Sequence, residues 1–175
     1  IKSELTKMLK NDRDKYIKFF EAFGSQLKLG VYADFGRHSD ELKDLLLFYS
    51  STEKKLVTLE EYVGRMKPEQ TSILYACGET IDKIDMLPQA DSLKDKGYEV
   101  LYLTEGIDEF ALKMLRAYNE KDFANICADD VDLDTQEEKD GLKQENESSK
   151  DMFDYMKSVL SPSVESVRFT NKLKN

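Results

Sequence analysis

The run from Tyr62 to Thr80, YVGRMKPEQTSILYACGET, joins a helix end, a proline break, an apolar strand and a glycine turn. It constrains the fold more than any other stretch. Thr58 and Glu61 have capping-box spacing: the threonine oxygen takes an orphan backbone N–H, and the glutamate reaches back to the cap residue's own N–H. A helix therefore starts at Leu59. Pro68 interrupts it, because proline has no N–H to donate. Ile73 to Ala76 is apolar and rich in β-formers, and Gly78 ends it, which predicts a strand buried on both faces. Helix, buried strand, glycine turn and next helix in that order define an α/β unit.

The pattern downstream repeats this alternation. A helical stretch surrounds Ser92 to Lys96, a strand covers Glu99 to Leu103, a helix runs from Ile107 to Tyr118, and a strand lies near Phe123 to Cys127. Strands separated by helices pair in parallel through crossover connections. A small three-layer αβα unit with a short parallel sheet follows.

Upstream, the first fifty residues read as helices. Tyr16, Phe19, Phe20 and Phe23 form an aromatic stripe at helical spacing; Leu42, Leu45, Leu46 and Tyr49 form a second one after the cap candidate Ser39. Gly24, Gly30 and Gly36 punctuate what reads as a turn-rich connector between them. The chain opens at Ile1 without a methionine, and Ile1, Leu5, Met8 and Leu9 already show helical spacing, which suggests a piece of a longer protein.

With 175 residues, 40% of them apolar, the chain can bury a core. It has neither an apolar run of membrane-spanning length nor the apolar centre of a signal peptide, so a cytoplasmic location is expected. The formal charge of −9 argues against nucleic acid, whose backbone is bound by clustered lysine and arginine. Residues 129–151 hold ten acids against three lysines, which reads as a solvated acidic linker. Beyond it, Met152, Phe153, Met156, Val159 and Leu160 predict an amphipathic helix stopped by Pro162. Val167 and Phe169 then alternate with polar neighbours as a strand, giving the α+β start of a further domain.

Motifs that would carry chemistry are sparse. None of the eight glycines has the spacing of a phosphate-cradling loop. His38 is the only histidine, so there is no histidine pair for zinc. Asp130, Asp132 and Asp134 imitate the start of a calcium loop, but Thr135 replaces the turn glycine and Gly141 the bidentate glutamate. Cys77 and Cys127 sit in strand-like segments and are expected to be reduced, buried and packed as small hydrophobes. Cys77 followed by Gly78 imitates a nucleophile elbow, yet the acidic Glu79 is a poor neighbour for a thiolate. An independent doubly wound domain would place a ligand at the strand ends, near Gly78, Glu79, Thr104 and Glu105.

Four runs change the reading: FGSQLKLGVYAD (23–34), ELKDLLLFYSS (41–51), LEEYVGRMKPEQTSILYACGE (59–79) and KGYEVLYLTEGIDEF (96–110). Together, in register over about the first 134 residues, they resemble the heat-shock protein 90 chaperone family in its bacterial form. The tail VESVRFTNKL resembles the opening of that family's C-terminal dimerisation domain.

The resemblance implies a division into a helical connecting segment (1–50), a small αβα middle subdomain (51–134), and an acidic linker with the start of the dimerisation domain (135–175). It implies a fragment that takes part in binding unfolded or partly folded client proteins, alongside other chaperones. The full-length protein would be a homodimeric ATPase whose ATP and magnesium are bound outside this segment; the segment itself would hold no cofactor or metal and carry no catalytic residue. The family's client-contact positions fall on Glu109, Phe110 and Lys113. Phe110 has two readings, core packing with the stripe Ile107, Ala111, Met114 and Tyr118, or a partly exposed contact. Leu112 lies off that stripe and is expected to add to a surface patch.

Overall fold

A computed structural model describes residues 1–33, 39–128, 136–161, 163–167 and 169, without the side chains of 136–140 and 142. His38, the calcium-like aspartates 130, 132 and 134, and Pro162 lie outside the described residues. Two compact units are present, Ile1–Asp129 and Asp130–Asn175.

The first unit opens with α1 (Lys2–Asn11) and the long α2 (Arg13–Tyr32). Asp12 caps α2 by accepting the Lys15 N–H at 3.2 Å. The expected connector through Gly24 and Gly30 is helical instead. Gly24 is there for space: an added Cβ would lie 2.8 Å from the Phe20 ring. Tyr16, Phe20, Gly24, Lys28 and Val31 form the buried face of the continuous helix.

The second expected helix is also overturned. A short α3 (Ser39–Leu42) and a 3-10 turn (Lys43–Leu45) lead directly into strand β1 (Leu47–Ser50). The run Leu45 to Phe48 is buried at every position, a pattern that a two-faced strand satisfies as well as a helix does. β1 pairs antiparallel with β2 (Leu56–Thr58) on one side and β4 (Leu101–Leu103) on the other. The division at residue 50 therefore does not mark a break in packing, since β1 belongs to the sheet.

From Thr58 onward the elements follow the sequence reading closely. Thr58 caps α4 (Leu59–Arg65) through the full reciprocal capping box. Then come β3 (Ser72–Cys77), α5 (Ile81–Asp85), α6 (Pro88–Asp95), β4, α7 (Gly106–Leu115), β5 (Ala117–Tyr118) and β6 (Lys121–Asn125). The sheet order is β2-β1-β4-β3-β6-β5. Its centre is the expected short parallel sheet, with β3 parallel to both β4 and β6; antiparallel strands extend it at both ends.

Alternation along β3 divides the core. Ile73 and Tyr75 join Tyr16, Phe20, Val31, Leu101, Leu103 and Leu112 in one apolar cluster beneath α2 and α7. Leu74, Ala76, Ile84, Ala90 and Leu93 are buried outside that cluster, where α5 and α6 supply the other layer. Tyr62 joins α4 to the sheet: its hydroxyl donates to the Glu99 carbonyl at 2.8 Å and accepts the Leu74 N–H at 2.9 Å and the Gln70 amide at 3.0 Å.

In the second unit, the acidic stretch is not a plain linker, because α8 (Gln136–Ser148) occupies most of it. The expected amphipathic helix is α9 (Lys150–Leu160). Val167 and Phe169 lie in irregular backbone, and 168 and 170 are outside the described residues. The Phe169 ring meets Phe153 edge-on at 4.9 Å, and its N–H donates to Asn146 Oδ1 at 2.9 Å.

Candidate functional site

Helix α7 carries all four residues singled out in the sequence. Its start is fixed by acids: the Glu105 N–H donates to Asp108 Oδ2 at 3.2 Å, and the Glu105 side chain accepts in return from the Asp108 backbone. Asp108 is buried and pairs with Lys28 of α2, itself buried. The Lys28 ammonium also lies 5.3 Å from the Phe20 ring centre and 5.6 Å from that of Phe48, where the ring faces favour a cation. Burial pushes the Asp108 carboxyl above the ordinary range, against the pull of Lys28. Ser25 adds a tether by donating to Glu105 at 2.9 Å. These contacts clamp α7 to α2 in one rotational setting.

That setting decides which residues face outward. Asp108, Ala111 and Leu112 form the buried face. Leu112 is 1% exposed and belongs to the core cluster, so the expectation that it adds to a surface patch is corrected. The apolar stripe misplaced the face because its centre is a charged residue, Asp108, which hydrophobic periodicity counts as surface. Phe110, on the opposite side of the helix, is 55% exposed. Glu109 and Lys113, one turn apart, form an ion pair at 3.0 Å beside it. The structure therefore brings Glu109, Phe110 and Lys113 together on the outer face and leaves Leu112 beneath.

Two residues that the sequence reading missed complete the surface. Tyr32, at the end of α2, meets the Phe110 ring edge-on at 6.0 Å with the planes at 64°, and is 48% exposed. Leu29, one turn earlier on α2, is 52% exposed. The repeat Phe20, Leu27, Val31, which runs straight through both glycines, was the available signal for the helix that carries them.

The other candidate location, at the strand ends, has a different character. Gly78 is pinned by its N–H donating to the Leu103 carbonyl at 3.1 Å, and an added Cβ would lie 2.6 Å from Ile84. The α7 N-terminus, where an anion would bind, is occupied by the carboxylates of Glu105 and Asp108. Cys77 and Cys127 are exposed rather than buried, because each lies where its strand runs out at the sheet edge. Desolvation first, then the nearby carboxylates of Glu109 and Asp108, push the Cys77 thiol up to about 11. That is the reverse of an activated nucleophile. Among the described residues there is no group of three metal-ligating side chains, and no helix is long and apolar enough to cross a membrane.

A rigid αβα scaffold presenting an aromatic pair and an ion pair defines a protein-binding module, of the kind found in chaperones. The chain belongs to the Hsp90 family: the family model described as Hsp90 protein matches residues 2–175. It is 55% identical over its whole length to the chaperone protein HtpG of Clostridium acetobutylicum and 54% identical to that of Bacillus subtilis, covering 28% of each. Among solved structures it is similar to the middle domain of a heat shock protein of Plasmodium falciparum, with 31% identity and a TM-score of 0.65 over 71% of this chain and 52% of that one. The chain thus spans about a quarter of the length of the curated relatives it matches.

Proposed function

We propose that this segment binds unfolded or partly folded client proteins through the outer face of α7, with Phe110 as the anchor, Glu109 and Lys113 as the polar rim, and Tyr32 and Leu29 extending the apolar area. The observation that carries the reading is the exposed edge-on pair Tyr32–Phe110, held on helices that the Lys28–Asp108 clamp fixes to the sheet. Apolar area on a rigid support is what a chaperone needs, since unfolded chains share exposed apolar segments and little else. The ion pair suits clients of either charge, because each partner can exchange its neighbour for a client group.

Family membership and the relatives named as chaperones support the wider reading. The whole protein is an ATP-dependent chaperone, homodimeric and cytoplasmic, with no nucleic-acid or membrane partner; ATP and magnesium are bound by other parts of it, and this segment turns over no ATP itself. Titration calorimetry of this chain with magnesium ATP should give no binding heat, and tight binding would contradict that division of labour. For the client surface, a fluorescently labelled unfolded protein is titrated with wild type and with Phe110→Ala. The variant should bind about tenfold or more weakly, the range of an aromatic hot spot, while keeping its circular dichroism. Equal affinity would remove Phe110 from the site.

A further inference from the structure

Cys77 and Cys127 are the only cysteines in the chain, and the topology brings them to one place. β3 and β6 are parallel neighbours, with Ser72 opposite Asp122 and Tyr75 opposite Asn125. The ladder continues one step further, as the Ile126 N–H donates to the Tyr75 carbonyl at 2.9 Å. The same offset carried to the next position on that face sets Cys77 against Cys127. Neighbouring strands lie about 4.8 Å apart, inside the roughly 4.4–6.8 Å Cα separation that a disulfide spans. Charge on the Cys127 sulfur disfavours charge on Cys77, so the two thiols share one locality. Both are exposed and free. Their backbones are held from each side: the Cys127 N–H donates to Asn125 Oδ1 at 3.0 Å, and Gly78, beside Cys77, donates to Leu103.

We propose that Cys77 and Cys127 are a modification site, a dithiol at the carboxyl edge of the sheet that closes to an intramolecular disulfide under a low-molecular-weight disulfide oxidant. The Cys77 thiolate attacks one oxidant sulfur, the oxidant S–S bond breaks, and a mixed disulfide forms as the first small thiolate leaves and takes up a proton. The Cys127 thiolate then attacks the Cys77 sulfur and expels the second small thiol. Two protein thiols are oxidised and one small disulfide is reduced to two thiols. The carboxylates of Glu109 and Asp108 beside Cys77 keep its thiol protonated at neutral pH, so the pair stays reduced until oxidant is abundant or the pH rises. The closed loop would enclose β4 and α7, tying the far end of that crossover to the sheet edge. The proposal stands independently of the client-binding reading.

Intact-mass spectrometry of the chain after incubation with oxidised glutathione tests it. Wild type should lose two hydrogens and give a peptide cross-linking Cys77 to Cys127, at a rate rising about tenfold per pH unit below the thiol's own value. Cys77→Ser and Cys127→Ser should each retain one glutathione instead. Wild type carrying two glutathiones, forming only intermolecular dimers, or failing to react would overturn the proposal.

Discussion

Two regions of this chain expose apolar side chains, and they do so in opposite ways. On α7 the exposed Phe110 stands directly behind a buried face of Asp108, Ala111 and Leu112, and Tyr32 meets it from a second helix. On α9, Met152, Tyr155, Met156, Val159 and Leu160 are all exposed and no residue of the helix is buried. Exposure next to a clamped core defines a surface of fixed shape. Exposure along an entire amphipathic stripe defines a face whose packing partner is absent from the described residues. The same hydrophobic periodicity thus marks a binding surface in one unit and an unpaired helix in the other, and burial of the opposite face tells them apart.

The largest effect that sharpens this contrast comes from the clamp. Asp108→Ala leaves the Lys28 ammonium buried without its partner, and losses of about 3–5 kcal/mol accompany such changes. Urea denaturation should show this as a lower midpoint, whereas the double change Lys28→Met with Asp108→Leu should recover most of the loss. Next in size is Tyr62→Phe. It leaves the Leu74 N–H and the Glu99 carbonyl without a buried partner and should cost about 1–3 kcal/mol.

The local signals in the sequence were reliable where chemistry between near neighbours decides the outcome. The Thr58–Glu61 capping box, the Pro68 break and the buried strand through Ile73 to Ala76 are all present in the fold. Readings failed where distant partners decide. Gly24 and Gly30 look like turn residues until the packing of Phe20 and Leu42 against them is known. Leu45 to Phe48 fits helix or strand, and only pairing with β2 and β4 selects the strand. Leu112 and Asp108 exchanged their expected places because a buried ion pair has no apolar signature. Of the candidate surface, Glu109, Phe110 and Lys113 were legible through resemblance, whereas Tyr32 depended on recognising α2 as one helix.

A moderate effect should appear in acid. The Tyr102 hydroxyl donates to Asp85 at 2.6 Å and, with Lys54 and Lys94, holds its carboxyl at about 2. The folded state therefore prefers the carboxylate. Its contribution to stability is full above the unfolded value near 4 and is lost as pH falls towards 2. Asp85→Asn should lower stability at pH 6 and flatten its pH dependence between 4 and 2, read from thermal melts across that range. The smallest effects separate the two apolar regions. Phe110→Ala and Met156→Ser should each change thermal stability by less than about 0.5 kcal/mol, as exposed substitutions do, but only Phe110→Ala should weaken client binding.

The most direct test of the α7 surface is residue-resolved NMR of this chain titrated with an unfolded client. Binding there predicts shift changes concentrated at Leu29, Tyr32, Glu109, Phe110 and Lys113, saturating together and lost in Phe110→Ala. Shifts confined to α9, with α7 and the end of α2 unmoved, would contradict it.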